Sequence, residues 1–152
     1  MKLIDKYDPS LLKATPTYEF NGTEEAFCTE LTMFMKSIGA MSIPAPYVGV
    51  KHRMFIVNTE PEIHVFYNPR VVDISSEYVM LDEIDILYPG VICKVKRPKS
   101  VKVRFANIDG EVFTRKFSGM TARLFQQNFD ILNGMRFYDK ANFLNRNRTL
   151  KQ

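Results

Sequence analysis

One alternating run constrains this chain more than any other feature. Val101-Lys102-Val103-Arg104-Phe105 leads through Asn107-Ile108-Asp109-Gly110 into Val112-Phe113-Thr114-Arg115-Lys116-Phe117. Successive side chains on a strand point to opposite faces, so Val101, Val103 and Phe105 share one face and the cations Lys102 and Arg104 take the other. Asp-Gly supplies the positive φ angles that a tight hairpin turn demands. A hairpin with one apolar and one cationic face is predicted.

Helical patterns flank this β region. Asn21-Gly22-Thr23 offers a helix start, and Glu24 and Glu25 in the first turn suit the positive end of its dipole. Phe27, Leu31, Phe34, Met35 and Ile38 follow at helical spacing, and Gly39 is placed to stop the helix. Ser118 is expected to cap a second helix running to about Leu132, with Gly134 as its stop and Met120, Leu124, Gln127 and Ile131 on one face. Between the helices, Met54–Val57, Ile63–Tyr67 and Glu77–Leu81 read as strands, the first two separated by Pro61. The class is α+β.

Bulk properties narrow the options. With 152 residues, 45% hydrophobic and 25% charged, the chain reads as one globular domain. No apolar run approaches the roughly 20 residues of a membrane span. The segment from Met1 to Pro9 has neither the apolar core of a secretion signal nor the arginine-rich character of an organelle presequence. Cys28 and Cys93 stand alone, with no metal spacing or disulfide framework, so a reducing, cytoplasmic setting during synthesis is expected. His52 and His64 read as ordinary exposed or hydrogen-bonded histidines.

Three short stretches carry a more specific signal. They are Ala40-Met41-Ser42-Ile43-Pro44-Ala45-Pro46-Tyr47-Val48-Gly49-Val50, Glu83-Ile84-Asp85-Ile86-Leu87-Tyr88-Pro89-Gly90, and Gln126-Gln127-Asn128-Phe129-Asp130-Ile131-Leu132-Asn133-Gly134. In order and spacing they resemble the three active-site motifs of peptide deformylase, with further landmarks at Asn68-Pro69, Lys96-Arg97-Pro98, Ala122-Arg123 and Phe137-Tyr138-Asp139. The similarity runs from about Leu3 to Asp139. Its short linkers look most like the compact deformylase-like proteins of tailed bacteriophages. The resemblance implies a peptide deformylase-like fold, with antiparallel or mixed sheets packed around the C-terminal motif helix and an N-terminal helix beside them.

It also implies a chemistry whose residues are replaced. The family holds a divalent metal with one cysteine and two histidines and uses a metal-bound water as nucleophile. A glutamate acts as general base, and a glutamine helps to stabilise the oxyanion. Here the cysteine position is Asp85 and the histidine positions are Gln127 and Ile131. Asn128 stands for the glutamate, Tyr47 for the glutamine, and Leu87 for the serine of the second motif. A single carboxylate falls far short of a transition-metal site, and an amide does not titrate near neutral pH. No metal and no cofactor are therefore expected. Tyr47, Leu87 and Ile131, larger or more apolar than the family residues, are expected to fill the old cleft in part. Asp130 survives, with Arg97 or Arg123 as basic partner.

The expectation that follows is a catalytically inactive, non-enzymatic structural or assembly component. A phage virion is its setting, with tail or baseplate as one possibility. Its partners would be other proteins of an assembly, with no small-molecule substrate. A rival reading is a module that binds peptide N-termini or the ribosome, and an enzyme rebuilt around Asp85, Tyr47 and Asn128 ranks last. Residues 1–139 are taken as the domain and 140–152 as a basic tail. Arg146, Arg148 and Lys102 are partner-contact candidates, and the aromatics Phe125, Phe129, Phe137, Tyr138 and Phe143 are divided between core and an exposed patch.

Overall fold

The predicted hairpin is present as β6 (Ser100–Ala106) and β7 (Val112–Ser118), in register from Ser100 opposite Ser118 to Ala106 opposite Val112. Val101, Val103 and Phe105 are buried and Lys102 and Arg104 exposed, as the alternation requires. The turn differs in detail. Only Gly110 takes a positive φ (78°), and Asp109 does not. The side chain of Asn107 does the remaining work, because its Oδ1 accepts from the N–H groups of Asp109 and Glu111 and closes a wider loop.

The computed structural model describes residues 1–141, so Phe143, Arg146 and Arg148 lie outside the described residues. A short 3-10 turn, Pro9–Leu12, interrupts the extended leader. The remaining elements are α1 (Glu24–Ser37), β1 (Ser42–Pro44), β2 (Met54–Asn58), β3 (Ile63–Ile74), β4 (Tyr78–Glu83), β5 (Cys93–Pro98) and α2 (Gly119–Leu132). Five strands form one sheet in the order β1-β2-β3-β6-β7, and β4 pairs with β5 in a second sheet. Among the described residues every strand pairing is antiparallel, so the mixed alternative drops out. The fold is α+β.

The large sheet lies between the two helices. On β2, Met54 and Ile56 pack in the cluster that holds Leu31 and Met35 of α1, while Phe55 and Val57 pack with Phe125 and Leu132 of α2. A strand buried on both faces reads as a continuous apolar run instead of an alternation, which is what Met54–Val57 shows. Each such side chain contributes roughly 1.5–3 kcal/mol through burial. A third cluster of Cys93, Val95, Phe137, Tyr138 and Ala141 sits at the small sheet.

Several sequence expectations need adjustment. Strand β3 does not end at Tyr67. It continues through Asn68-Pro69 as a bulge, with Asn68 at φ 47°. Proline is tolerated there because a bulged residue owes no ladder hydrogen bond. The Asn68 amide then pairs with the leader, accepting from Tyr18 N–H (2.8 Å) and donating to Tyr18 C=O (3.0 Å). Ser118 occupies the cap position of α2 but makes no capping bond through its side chain. Met120 is exposed and not on the buried face, because the helix packs only from Ala122 onward. Phe125, Phe137 and Tyr138 are all buried and Phe129 packs against Phe125, so these four leave no exposed aromatic patch.

Candidate functional site

The three motifs converge on one cleft of about 610 Å³. Motif one brings Ser42 from β1 and Tyr47 from the 3-10 segment Ala45–Val48 that follows it. Motif two brings Ile84 and Asp85 from the exit of β4, and motif three brings Gln127, Asn128 and Ile131 from α2. Met41 and Ile84 are exposed at its rim. The volume lies within the range of small-ligand sites, roughly 300–1,000 Å³. Tyr47 and Ile131 do stand in the cleft wall, and an open volume remains beside them. Leu87 does not line it but turns inward to pack in the core near Leu11, Tyr47 and Ile131.

The two elements carrying motifs two and three are tied by a buried ion cluster. Arg97 on β5 reaches Glu83 with two hydrogen bonds (2.6 and 3.0 Å) and Asp130 with one (2.7 Å). Arg97 is thus the partner anticipated for Asp130, and Lys140 adds a contact at 3.0 Å. Arg123 approaches the same Glu83 carboxylate at 2.7 Å through Nε, without hydrogen-bond alignment, and donates to the carbonyls of Val79, Leu81 and Val95. A carboxylate flanking Asp85 and another inside the motif helix are held by one guanidinium. This fixes the cleft's two walls relative to each other.

Asp85 is the centre of the site. Its Oδ2 accepts from Tyr47 O–H at 2.7 Å and its Oδ1 from Leu87 N–H at 2.9 Å, the second bond closing an Asx-type turn within its own loop. Burial pushes its pKa up, to about 6. The bonds from Tyr47, Leu87 and Gln127 pull in the opposite direction and offset only part of the desolvation. The Tyr47 phenol is driven well above its ordinary range, by burial first and the Asp85 charge second. It remains a neutral donor. Gln127 spends one amide N–H on Ile84 C=O (2.8 Å), and Asn128 donates to Leu124 C=O (2.8 Å) and Ser42 Oγ (2.9 Å). Because Ser42 Oγ accepts from Asn128, its own proton is free to point into the cleft. Ser42 was not singled out from the sequence. A hydroxyl residue where the family motif carries glycine was the available signal.

A divalent transition metal needs several nitrogen or sulfur donors converging on one point. Here one carboxylate, one amide already bonded to Ile84 and one isoleucine occupy the three ligand positions. Among the described residues no cluster of three or more His, Cys, Asp or Glu side chains is placed to hold an ion. These residues do not fit the family's metal. His52 meets Tyr18 at a tilt and Phe27 edge-on, and His64 contacts Glu62 at 3.2 Å and Phe117, both outside the cleft. Cys28 meets the Tyr67 hydroxyl at 3.3 Å, and Cys93 is buried. Lys102 is exposed on β6, opposite Lys116. No helix among the described residues is long and apolar enough to cross a membrane.

Comparison with known proteins matches residues 1–147 to the polypeptide deformylase family. The chain belongs to that family. It is 30% identical over 134 residues to the peptide deformylase of Thermotoga petrophila, covering 88% of this chain and 82% of the relative. It is also 30% identical to a peptide deformylase-like protein of Rhizobium meliloti, covering 88% of this chain and 78% of that one. Among solved structures, the Thermotoga maritima peptide deformylase superposes with a TM-score of 0.88 at 27% identity, over 93% of this chain and 97% of that one. A plant peptide deformylase gives 0.92 at 26% identity, over 99% and 85%.

These relatives correct the functional expectation drawn from the substitutions. They carry the names of enzymes, and nothing among them supports a phage, virion, tail or baseplate role. The step from a replaced ligand set to a non-enzymatic assembly component does not follow. It treated loss of one chemical device as loss of all chemistry, and the open cleft with its titratable carboxyl shows why that was too quick.

Proposed function

We propose that this deformylase-family chain works on the amino-terminal end of polypeptides, hydrolysing the N-formyl amide with Asp85 as general base and without a bound transition metal. Within the family it is thus a member with an altered ligand set. The observation that carries the reading is the Asp85 carboxyl. It lies in the cleft where the three motifs meet, donor-supported by Tyr47, with a pKa near 6 that suits proton transfer around neutrality.

In its ionised form Asp85 takes a proton from a water as that water adds to the formyl carbonyl. The new C–O bond forms and the carbonyl electron pair moves to oxygen, where the Ser42 hydroxyl donates to it. Collapse of this intermediate re-forms the carbonyl and breaks the C–N bond. The amine leaves with the proton returned by Asp85, and formate is released. Tyr47 holds the carboxylate in place throughout, and the apolar walls from Leu3, Ile86, Leu124 and Ile131 accommodate the first side chain of the peptide.

A positioned base contributes about 10²–10⁴-fold, so turnover should be slow beside a metal-assisted hydrolase. The test is formate release from formyl-Met-Leu-Phe amide by purified protein in excess chelator between pH 5 and 8. Release should persist in chelator, rise with pH through about 6, and disappear in Asp85→Asn. Absence of release, or release only after metal is added, would refute the proposal.

A further inference from the structure

Asp85 has a second property that general-base catalysis does not use. Among the described residues lining the cleft it is the only acid, and no lysine, arginine or histidine is among them. Arg97 and Arg123, which gather around the neighbouring Glu83, are spent on Glu83, Asp130 and backbone carbonyls, and Arg136 pairs with Asp139. Asp85 is only 8% exposed. A carboxylate offers about four acceptor positions. Tyr47 O–H, Leu87 N–H and the Gln127 side chain take three of them, which leaves one acceptor position on a carboxylate that lines the cleft. A buried carboxylate without a counter-ion is costly and is relieved by a cation that enters beside it.

We infer that the cleft binds the free α-ammonium group of a peptide N-terminus, with the Asp85 carboxylate as its counter-ion, in preference to a formylated or acetylated terminus. This rests on the proposed function, since it places the same peptide end in the same cleft. A primary ammonium fits the site better than a divalent metal. It needs one carboxylate and a few neutral acceptors instead of a full ligand shell. The remaining acceptors are at hand, in the Tyr47 phenol oxygen and the Gln127 amide oxygen. Apolar side chains around the carboxylate weaken its screening by water and strengthen the pair. The site is therefore selective for the head group that deformylation produces, and the product should leave slowly.

The test is calorimetric binding at pH 7.5 to the full chain, with Met-Leu-Phe amide bearing a free, a formylated or an acetylated amino terminus. An acetylated peptide carrying one internal lysine is the fourth probe. The free amine should bind at least tenfold more tightly than the acetylated form, and Asp85→Asn should erase that difference; the formyl peptide is compared on the Asp85→Asn variant, which does not turn it over, and there it should bind like the other two. Equal or tighter binding of the acetylated peptide would overturn the inference, yet leave the hydrolytic reading intact if formate is still released from the formyl peptide. Equal binding of the lysine peptide would overturn the assignment to the N-terminus. If no peptide binds, both fail, and a folded Asp85→Asn variant assayed alongside separates that outcome from loss of structure.

Discussion

Replacing Asp85 by Asn should make this protein more stable at neutral pH. The folded state holds the Asp85 carboxyl with a pKa raised from 3.8 to about 6, chiefly because burial penalises the charge. A group raised on folding adds stability below its unfolded pKa and loses that contribution as pH climbs through the folded value. At about 1.4 kcal/mol per pH unit, the burden of ionised Asp85 at pH 7 and above is about 3 kcal/mol. Asparagine keeps an acceptor for Leu87 N–H and can turn its amide toward the Tyr47 oxygen, so the shape and most of the hydrogen bonding survive. Allowing for the weaker neutral bonds, the gain should be about 1–3 kcal/mol, or about 1 M in urea midpoint. Urea titrations of both proteins from pH 4 to 8 check this. The midpoints should nearly coincide at pH 4 and separate through pH 6 in favour of the variant. A variant less stable at pH 8, or a gap independent of pH, would show that Asp85 is not desolvated as described.

Two further outcomes follow from the site's geometry. The triple variant Asp85→Cys, Gln127→His and Ile131→His should take up about one equivalent of zinc or nickel by elemental analysis, since all three positions line one cleft; a folded triple variant that binds no metal would show that the backbone frame has changed. Arg97→Ala should destabilise the fold by about 3–5 kcal/mol in chemical denaturation, because it leaves Glu83 and Asp130 as buried charges short of a partner; a loss under 1 kcal/mol would mean the cluster is wetter than its burial suggests.

The hairpin, both helices and the meeting of the three motifs were legible in the sequence because each rests on local signals. These are alternation in Val101–Phe105, helical spacing from Phe27 to Met35, and glycines at 39 and 134. What escaped depends on contacts distant in sequence. Nothing in Asn68-Pro69 announces that the strand runs on to Ile74, because the bulge is stabilised by Tyr18 in the leader. Leu87 reads as a cleft residue until the Asx turn at Asp85 rotates it into the core. The replaced ligand positions do meet in one cleft, but they were over-read as function. Sequence spacing names the groups near one another, but the desolvation that gives Asp85 a pKa near 6 is a property of the folded surroundings.

The extended leader carries a consequence for how the chain is made. Ile4 N–H bonds to Tyr47 C=O, Thr15 N–H to Leu132 C=O, and Arg53 joins the carbonyls of Thr15 and Leu132 to the side chain of Asn133. Gly134, at φ 83°, lies so close to Leu12 C=O that an added Cβ would meet the oxygen at 2.8 Å. Within this domain, segments made early are thus fastened to a helix made late. A leader that emerges early must wait, unpaired, until α2 has been synthesised, and loops that long close late. Assembly of this domain is therefore governed from its C-terminal side. A nascent chain stalled before Leu132 would present β2 and the hairpin without the helix that covers Phe55, Phe66 and Phe105, and would depend on chaperones or on speed to avoid association.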